Sequence, residues 1–328
     1  MMKAVLCKSL EGPSKLEIGD LPDPTPASGE VVVDVNACAL NFFDTLITRG
    51  KYQHKPELPF SPGGEIAGTV ASVGANVDGI KPGDRVSAYL GWGGAREKIT
   101  VSADRVVAIP DGIDDAVASS VSITYGTAIH GLKDRADLQP SETVAVLGAS
   151  GGAGLAAVEI AAAMGARVIA VASSDEKLAI CKAHGAEHLI NYASSDLKLA
   201  LREVTEGRGV DVVYDCVGGD SAEQAIRAMA WKGRFLVVGF ASGEIPKLPL
   251  NLLLVKGCAA LGVFWGEAVQ RDPASHRQHM QDVLQWVKEG RLKPRIDKSF
   301  PLPDIKAALA EIEERKAIGK IVLQIRGV

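Results

Sequence analysis

The run Thr143-Val144-Ala145-Val146-Leu147 passes directly into Gly148-Ala149-Ser150-Gly151-Gly152-Ala153-Gly154 and then into an alanine-rich stretch that stops near Gly165. An apolar strand that enters a glycine turn and leaves as a helix is the opening unit of a doubly wound parallel sheet. Such a turn lets the backbone approach a pyrophosphate, whose charge rests on the free N–H groups at the helix start. Ser150 fills the second glycine position of the usual G-x-G-x-x-G, so Ser150, Gly151, Gly152 and Ala153 form a variant of that turn. A plain tight turn is the alternative.

The chain around this turn has two textures. Up to about residue 120, short β-rich runs such as Glu30–Val35 and Gly68–Val73 are punctuated by Pro22, Pro24, Pro26, Gly29 and Lys81-Pro82-Gly83-Asp84. This predicts an irregular, mainly antiparallel β-domain. From about Thr124, apolar runs at Val144–Leu147, Arg167–Ala172, His188–Asn191, Val210–Asp215, Arg234–Val238 and Ala259–Val263 alternate mostly with helical patterns. Six such strands predict an α/β fold with a doubly wound parallel sheet. Helical stretches reaching Val287 and spanning Pro303–Lys316 precede a last strand at Lys320–Ile325. A seventh strand would overfill the sheet, so the tail is expected to return to the first domain. That gives a discontinuous domain of residues 1–123 and 267–328 around a nucleotide-binding domain of residues 124–266.

The second strand of the parallel sheet bears on the choice of dinucleotide. NAD-binding relatives of this motif place an acidic residue at its end to accept the ribose 2′-hydroxyl. Here Arg167–Ala172 is followed by Ser173-Ser174-Asp175-Glu176-Lys177. With no carboxylate at the strand end, Ser173, Ser174 and Lys177 are candidates for a 2′-phosphate, which favours NADPH over NADH. The plainer reading is that Ser174 caps the next helix, Asp175 and Glu176 complement its dipole and Lys177 is solvated. Both can hold together.

Composition excludes other classes. Lys+Arg 36 against Asp+Glu 40 leaves a net charge of -4, so nucleic acid is not the expected partner. The most apolar stretches, Val31–Val35, Val144–Leu147 and Leu252–Val255, are far shorter than the roughly 20 residues of a membrane span. No membrane association is expected, and no signal peptide is evident at the start. The odd number of scattered cysteines, Cys7, Cys38, Cys181, Cys216 and Cys258, fits a reducing, cytoplasmic setting. No histidine carries a functional argument: His184 and His188 flank a helix end, and His276 and His279 lie on a polar helix.

Several segments together carry a family resemblance. They are Asn41-Phe42-Phe43-Asp44-Thr45, Pro59 to Gly68, Lys81 to Val86, the glycine turn, Asn191-Tyr192 and Val237-Val238-Gly239-Phe240. The chain resembles, over its whole length, the zinc-free quinone oxidoreductases of the medium-chain dehydrogenase/reductase superfamily. That resemblance implies a GroES-like β-domain, a Rossmann domain binding NADPH, a substrate held between them and a homodimer paired through Ala259–Val263. Zinc-dependent members have cysteine and histidine ligands where this chain has Asn41 and Gly64, neither a soft N/S ligand, so no metal is expected. Without a metal the expected chemistry is hydride delivery to an electron-poor acceptor, a quinone or an activated alkene.

The resemblance also implies residue roles. Asn41 would reach the nicotinamide ribose or the substrate carbonyl, with Asp44 close by and Tyr52 at the mouth of the site. Leu46 stands where the branch often has a second tyrosine. Thr127, Tyr192, Cys216, Val217, Phe240, Ala241, Phe264, Trp265 and Lys320 would contact the cofactor, though Phe264 and Trp265 could instead lie at a subunit interface. Two further readings stand beside the quinone reductase: an enoyl or 2-alkenal reductase, and a non-catalytic NADPH-binding protein.

Overall fold

The computed structural model describes residues 1–326. The chain separates into two compact units, one of Met1–Ile123, Ala268–Gly290 and Pro294–Val328, the other of Thr124–Glu267 and Arg291–Lys293.

The second unit is built on six parallel strands in the order His188–Asn191, Arg167–Ala172, Thr143–Leu147, Val210–Asp215, Met229–Val237 and Ala259–Gly262. The chain leaves the Thr143–Leu147 strand to one side and later returns to the other. The sheet order therefore reverses beside that strand, and in open sheets ligands gather at the carboxyl end of such a switch point. Every residue of Thr143–Leu147 is buried, as its unbroken apolar run requires of a strand covered on both faces. The fifth strand begins earlier than the apolar pattern suggests. Lys232 has a left-handed φ of 63° and the register shifts between Val210 and Val212, so a bulge at Trp231–Gly233 hides the Met229–Ala230 pairing from a periodicity count.

Helix Gly152–Ala163 follows the glycine turn and buries Gly154 through Ala161. Helix Asp175–Ala183 is capped by Ser174, whose side chain accepts from the Lys177 N–H, and Asp196 caps Leu197–Val204 in the same way. The core between helices and sheet includes Leu147, Ile169, Val171, Val213, Ile226 and Phe235.

The first unit carries a seven-stranded sheet. Its central strand, Glu30–Leu40, pairs along its length with Glu65–Val73. On its other edge Glu30–Asp34 meets Lys98–Ser102, and Ala37–Leu40 meets Gln324–Ile321 of the last strand, Lys320–Gln324. Both pairings are antiparallel, so the chain's tail completes the sheet that its beginning starts. Lys320 enters this sheet beside the end of Leu40, and Glu65 pairs with Ala39 on the opposite edge. Among the described residues no helix is long and apolar enough to cross a membrane.

Candidate functional site

In the second unit the glycine turn is set by sterics. Gly148 has a φ of 72°, where side chains are strained. A Cβ on Gly154 would lie 2.1 Å from the Gly148 carbonyl oxygen, so only glycine lets the helix pack this closely on the strand. Gly151 differs: its φ is -75°, and a Cβ there would meet nothing nearer than 3.5 Å. Among the described residues nothing requires that glycine, which leaves an open backbone surface. The helix start at Gly152 and Ala153 is half-buried and has no side-chain cap, while Ser150 is buried beneath it. Uncapped N–H groups beside a bare backbone fit the pyrophosphate of a dinucleotide.

The next strand ends in Ala172, and the sheet register brings Ala172 opposite Asn191. Ser173, Ser174 and Lys177 therefore stand beside Tyr192, whose N–H bonds the Ala172 carbonyl at 3.1 Å. Lys177 Nζ donates to Ser173 Oγ at 3.5 Å, and Tyr192 is 45% exposed. Ser174 also caps its helix at 3.4 Å, so both readings of that serine coexist. The group presents hydroxyls and an ammonium without a strand-end carboxylate.

Buried Asp215, given no role by sequence reasoning, shapes the adjoining turn. Its Oδ1 accepts from the N–H groups of Val217 and Gly218 at 2.8 and 3.0 Å, drawing Cys216 and Val217 toward the glycine turn. A Cβ on Gly148 would meet the Val217 side chain at 2.8 Å. Ala241 N bonds the Cys216 carbonyl, so the Phe240–Ala241 loop lies beside the same turn. Phe264 is 45% exposed, whereas Trp265 is buried on Gly126, one residue before half-buried Thr127. Glu159, in the alanine-rich helix, takes the Tyr125 hydroxyl at 2.6 Å and meets His184 Nδ1 at 2.5 Å.

The first unit holds a second polar group of a different kind. Asn41 ends the central strand and starts helix Phe42–Ile47, its backbone N–H bonded to Asp44 Oδ2 at 2.8 Å. Asp44 Oδ1 takes the Gly63 N–H at 2.8 Å, tying this corner to the turn before Glu65. Burial pushes the Asp44 carboxyl up to about 7, against the lowering effect of those two N–H donors and the Lys320 charge. Glu65 is completely buried and its Oε2 takes the Ile123 N–H at 2.7 Å. Its Oε1 takes Asn41 Nδ2 at 2.9 Å and Lys320 Nζ at 2.8 Å.

Lys320, expected among the cofactor contacts, lies inside this group. Its ammonium donates to the Leu40 carbonyl at 3.0 Å, to Asn41 Oδ1 at 2.6 Å and to Glu65 Oε1 at 2.8 Å. Three N–H bonds are all that an ammonium has, so no donor remains for a cofactor. Tyr52 is half-buried, its ring 5.3 Å from Phe43 and 5.9 Å from His54, and burial followed by the Asp44 charge raises its hydroxyl pKa. Half-buried Leu46 lies on the same helix as Phe43.

The chain resembles known oxidoreductases in both parts. The family description "Alcohol dehydrogenase GroES-like domain" matches residues 27–111, and "Zinc-binding dehydrogenase" matches residues 152–289. A relative from Nematostella vectensis named quinone oxidoreductase-like protein 2 homolog is 41% identical over 327 residues, covering 99% of this chain and 89% of the relative. The structure of Escherichia coli quinone oxidoreductase complexed with NADPH superposes with a TM-score of 0.90 at 28% identity, covering 98% of this chain and 100% of that one. The CurK enoyl reductase matches equally well, with a TM-score of 0.90 at 29% identity over 99% of each chain. These relatives define an oxidoreductase with a GroES-like unit and a Rossmann sheet. The chain belongs to the medium-chain dehydrogenase/reductase superfamily, among its quinone oxidoreductase-like members.

The residues present do not fit the zinc ion that one of those family descriptions names. Gly64 has no side chain, Asn41 offers an amide already bonded to Lys320 and Glu65, and a fixed ammonium stands 2.6 Å from its oxygen. Buried Cys38 is the nearby sulfur, and burial with the Asp44 and Glu65 charges holds it well above the usual thiol range, as a neutral thiol rather than a thiolate ligand.

Proposed function

We propose that this chain is an NADPH-dependent, metal-independent reductase that passes a hydride to a quinone. The observation that carries the cofactor reading is the group of Ser173, Ser174 and Lys177 at the end of a strand that lacks a carboxylate. A dinucleotide's pyrophosphate would rest on Gly151, Gly152 and Ala153, its 2′-phosphate on the serines and Lys177, and its adenosine near Tyr192, Cys216 and Val217. Thr127, Phe240, Ala241 and Phe264 would line the nicotinamide end. When bound, the cofactor supplies the hydride. Residues 124–266 act as the cofactor domain, and residues 1–123 with 267–328, apart from Glu267 and Arg291–Lys293, which fall in the other unit, form the domain that carries Asn41, Asp44 and Tyr52.

Titrating the purified protein with NADPH and NADH tests the cofactor part: tighter NADPH binding is expected, and equal affinities contradict it. A second acceptor class is supported by Leu46, which makes the acceptor side more apolar, and by the likeness to an enoyl reductase. On that reading the acceptor is an α,β-unsaturated carbonyl, and Leu46→Tyr shifts turnover toward quinones. Turnover of either class argues against a non-catalytic NADPH-binding protein.

We further propose a cytoplasmic homodimer. Cys7, Cys38, Cys181, Cys216 and Cys258 are all free thiols, which suits a reducing compartment. Strand Ala259–Gly262 is the last of its sheet, and near it in sequence Leu250, Leu254 and Val255 are 75%, 79% and 65% exposed. An open strand edge with exposed aliphatic side chains in the same unit suits pairing with a second copy.

A further inference from the structure

We infer that Glu65 and Lys320 are positioning residues that lock the Asn41 carboxamide in one orientation and so leave a single N–H donor for the acceptor's carbonyl oxygen. The inference rests on the reductase reading above and concerns which group meets the acceptor.

A carboxamide can usually be turned over, because its oxygen and nitrogen ends have the same size. Here chemistry removes that freedom. Lys320 Nζ only donates, and it stands 2.6 Å from Asn41 Oδ1. Glu65 Oε1 takes the Lys320 ammonium as well as Asn41 Nδ2. Turning the amide over would point N–H at an ammonium and oxygen at a carboxylate, both repulsive. The two anchors are themselves held: Lys320 is 4% exposed with its third donor on the Leu40 carbonyl, and Glu65 is fully buried with its other oxygen on the Ile123 N–H.

Counting hydrogens then fixes what Asn41 can offer. One Nδ2 hydrogen is used on Glu65, and among the described residues the second has no partner. Asn41 is 9% exposed, the most accessible member of the Asn41, Asp44, Glu65 and Lys320 group. An ammonium on the amide oxygen polarises the group and strengthens that remaining donor. As a hydride and its two electrons reach a quinone, one carbonyl oxygen takes the negative charge and the product is a hydroquinone anion, which then gains a proton from water. A donor already aimed at that oxygen stabilises the charge as it develops and needs no reorganisation. Lys320 acts on the reaction through Asn41, without touching the acceptor.

The test is a double-mutant cycle with a second readout that needs no turnover. Glu65→Gln/Lys320→Met removes both charges of the ion pair together, so neither partner is left as a lone buried ion, and keeps the volumes close. In the wild-type background this pair variant is expected to lower kcat at least tenfold with little change in NADPH affinity. In an Asn41→Ala background it is expected to change kcat less than twofold, because the residue it acts through is gone. Equal losses in both backgrounds overturn the proposal and make the pair merely structural.

Hydrogen exchange of the Asn41 side-chain amide, followed in 15N-asparagine-labelled protein, reads the same lock directly. One slowly exchanging Nδ2 proton is expected in the wild type, with at least tenfold faster exchange in the pair variant. Unchanged exchange overturns the proposal. A wild type that keeps this slow proton yet reduces neither quinones nor enones sinks the reductase reading and leaves the lock standing.

Discussion

Gly154 lies directly beneath the carbonyl oxygen of Gly148, so close that a Cβ on it would stand 2.1 Å from that oxygen. Backbone meets backbone there, and no side-chain rotation can relieve the contact. Gly154→Ala is therefore expected to cost roughly 1–3 kcal/mol of stability through overpacking, seen as a melting temperature a few degrees lower. Gly151→Ala is expected to leave the melting temperature unchanged, since its Cβ meets nothing nearer than 3.5 Å, and still to weaken NADPH binding. Thermal melts with cofactor titrations on both variants separate the packing glycine from the ligand-facing one. A Gly151→Ala protein that binds NADPH normally removes the pyrophosphate from this turn.

Lys177 stands beside Ser173 with Nζ to Oγ at 3.5 Å. A charge-assisted contact to a phosphate is worth roughly 1.5–3 kcal/mol, about tenfold or more in affinity. Lys177→Ala is expected to weaken NADPH by that factor and NADH hardly at all. Equal effects on the two cofactors, measured by direct titration, would take Lys177 out of the phosphate site.

Asp44 gives the fold a particular pH dependence. Its carboxyl is raised from 3.8 to about 7, chiefly by burial, so between those values the folded chain holds a proton that the unfolded chain has released. Stability contributed by this group is therefore full below its unfolded value and falls as pH rises toward 7. Asp44→Asn is expected to be less stable throughout, because its amide NH2 faces the Asn41 or Gly63 N–H, but to show a shallower decline between those pH values. Melting curves for both proteins across that range check the slope. An identical slope would mean that Asp44 stays ionised in the fold.

The parallel sheet is readable from the sequence because its central strands, Thr143–Leu147, Arg167–Ala172 and Val210–Asp215, are covered on both faces and so appear as short, mostly apolar runs. The Asn41 end of the other unit is only half readable. Asn41 and Asp44 sit three residues apart around a helix start, a local pattern. Glu65 and Lys320 are 255 residues apart, and no spacing rule joins them. The available signal is subtler: each is a lone charge at the start of an apolar strand, Glu65 before Ile66-Ala67 and Lys320 before Ile321-Val322-Leu323. A buried charge needs a partner, so two such strands invite the pairing. The same reasoning applies to Glu159 inside its alanine-rich helix. Conversely, His276 and His279 read as solvated or structural on a polar helix, yet are only 5% and 7% exposed, because that helix packs the face that carries them.

The homodimer predicts a specific loss. Leu254 is 79% exposed in helix Leu250–Lys256, which ends at Gly257 just before the edge strand Ala259–Gly262. Light scattering is expected to give the mass of two chains for the wild type. Leu254→Asp should give one chain with the secondary structure retained, since the side chain touches little within its own chain. A wild-type monomer contradicts the dimer outright.

The central claim is tested most directly by turnover of the purified protein. NADPH and NADH consumption would be followed against small quinones and α,β-unsaturated carbonyls side by side. The account predicts fast NADPH-dependent reduction of quinones, at least tenfold slower reaction with NADH, and loss of most of the rate in Asn41→Ala. Preference for the unsaturated carbonyls would move the protein to the alkene reductases. Tight NADPH binding without turnover on either panel would contradict the account.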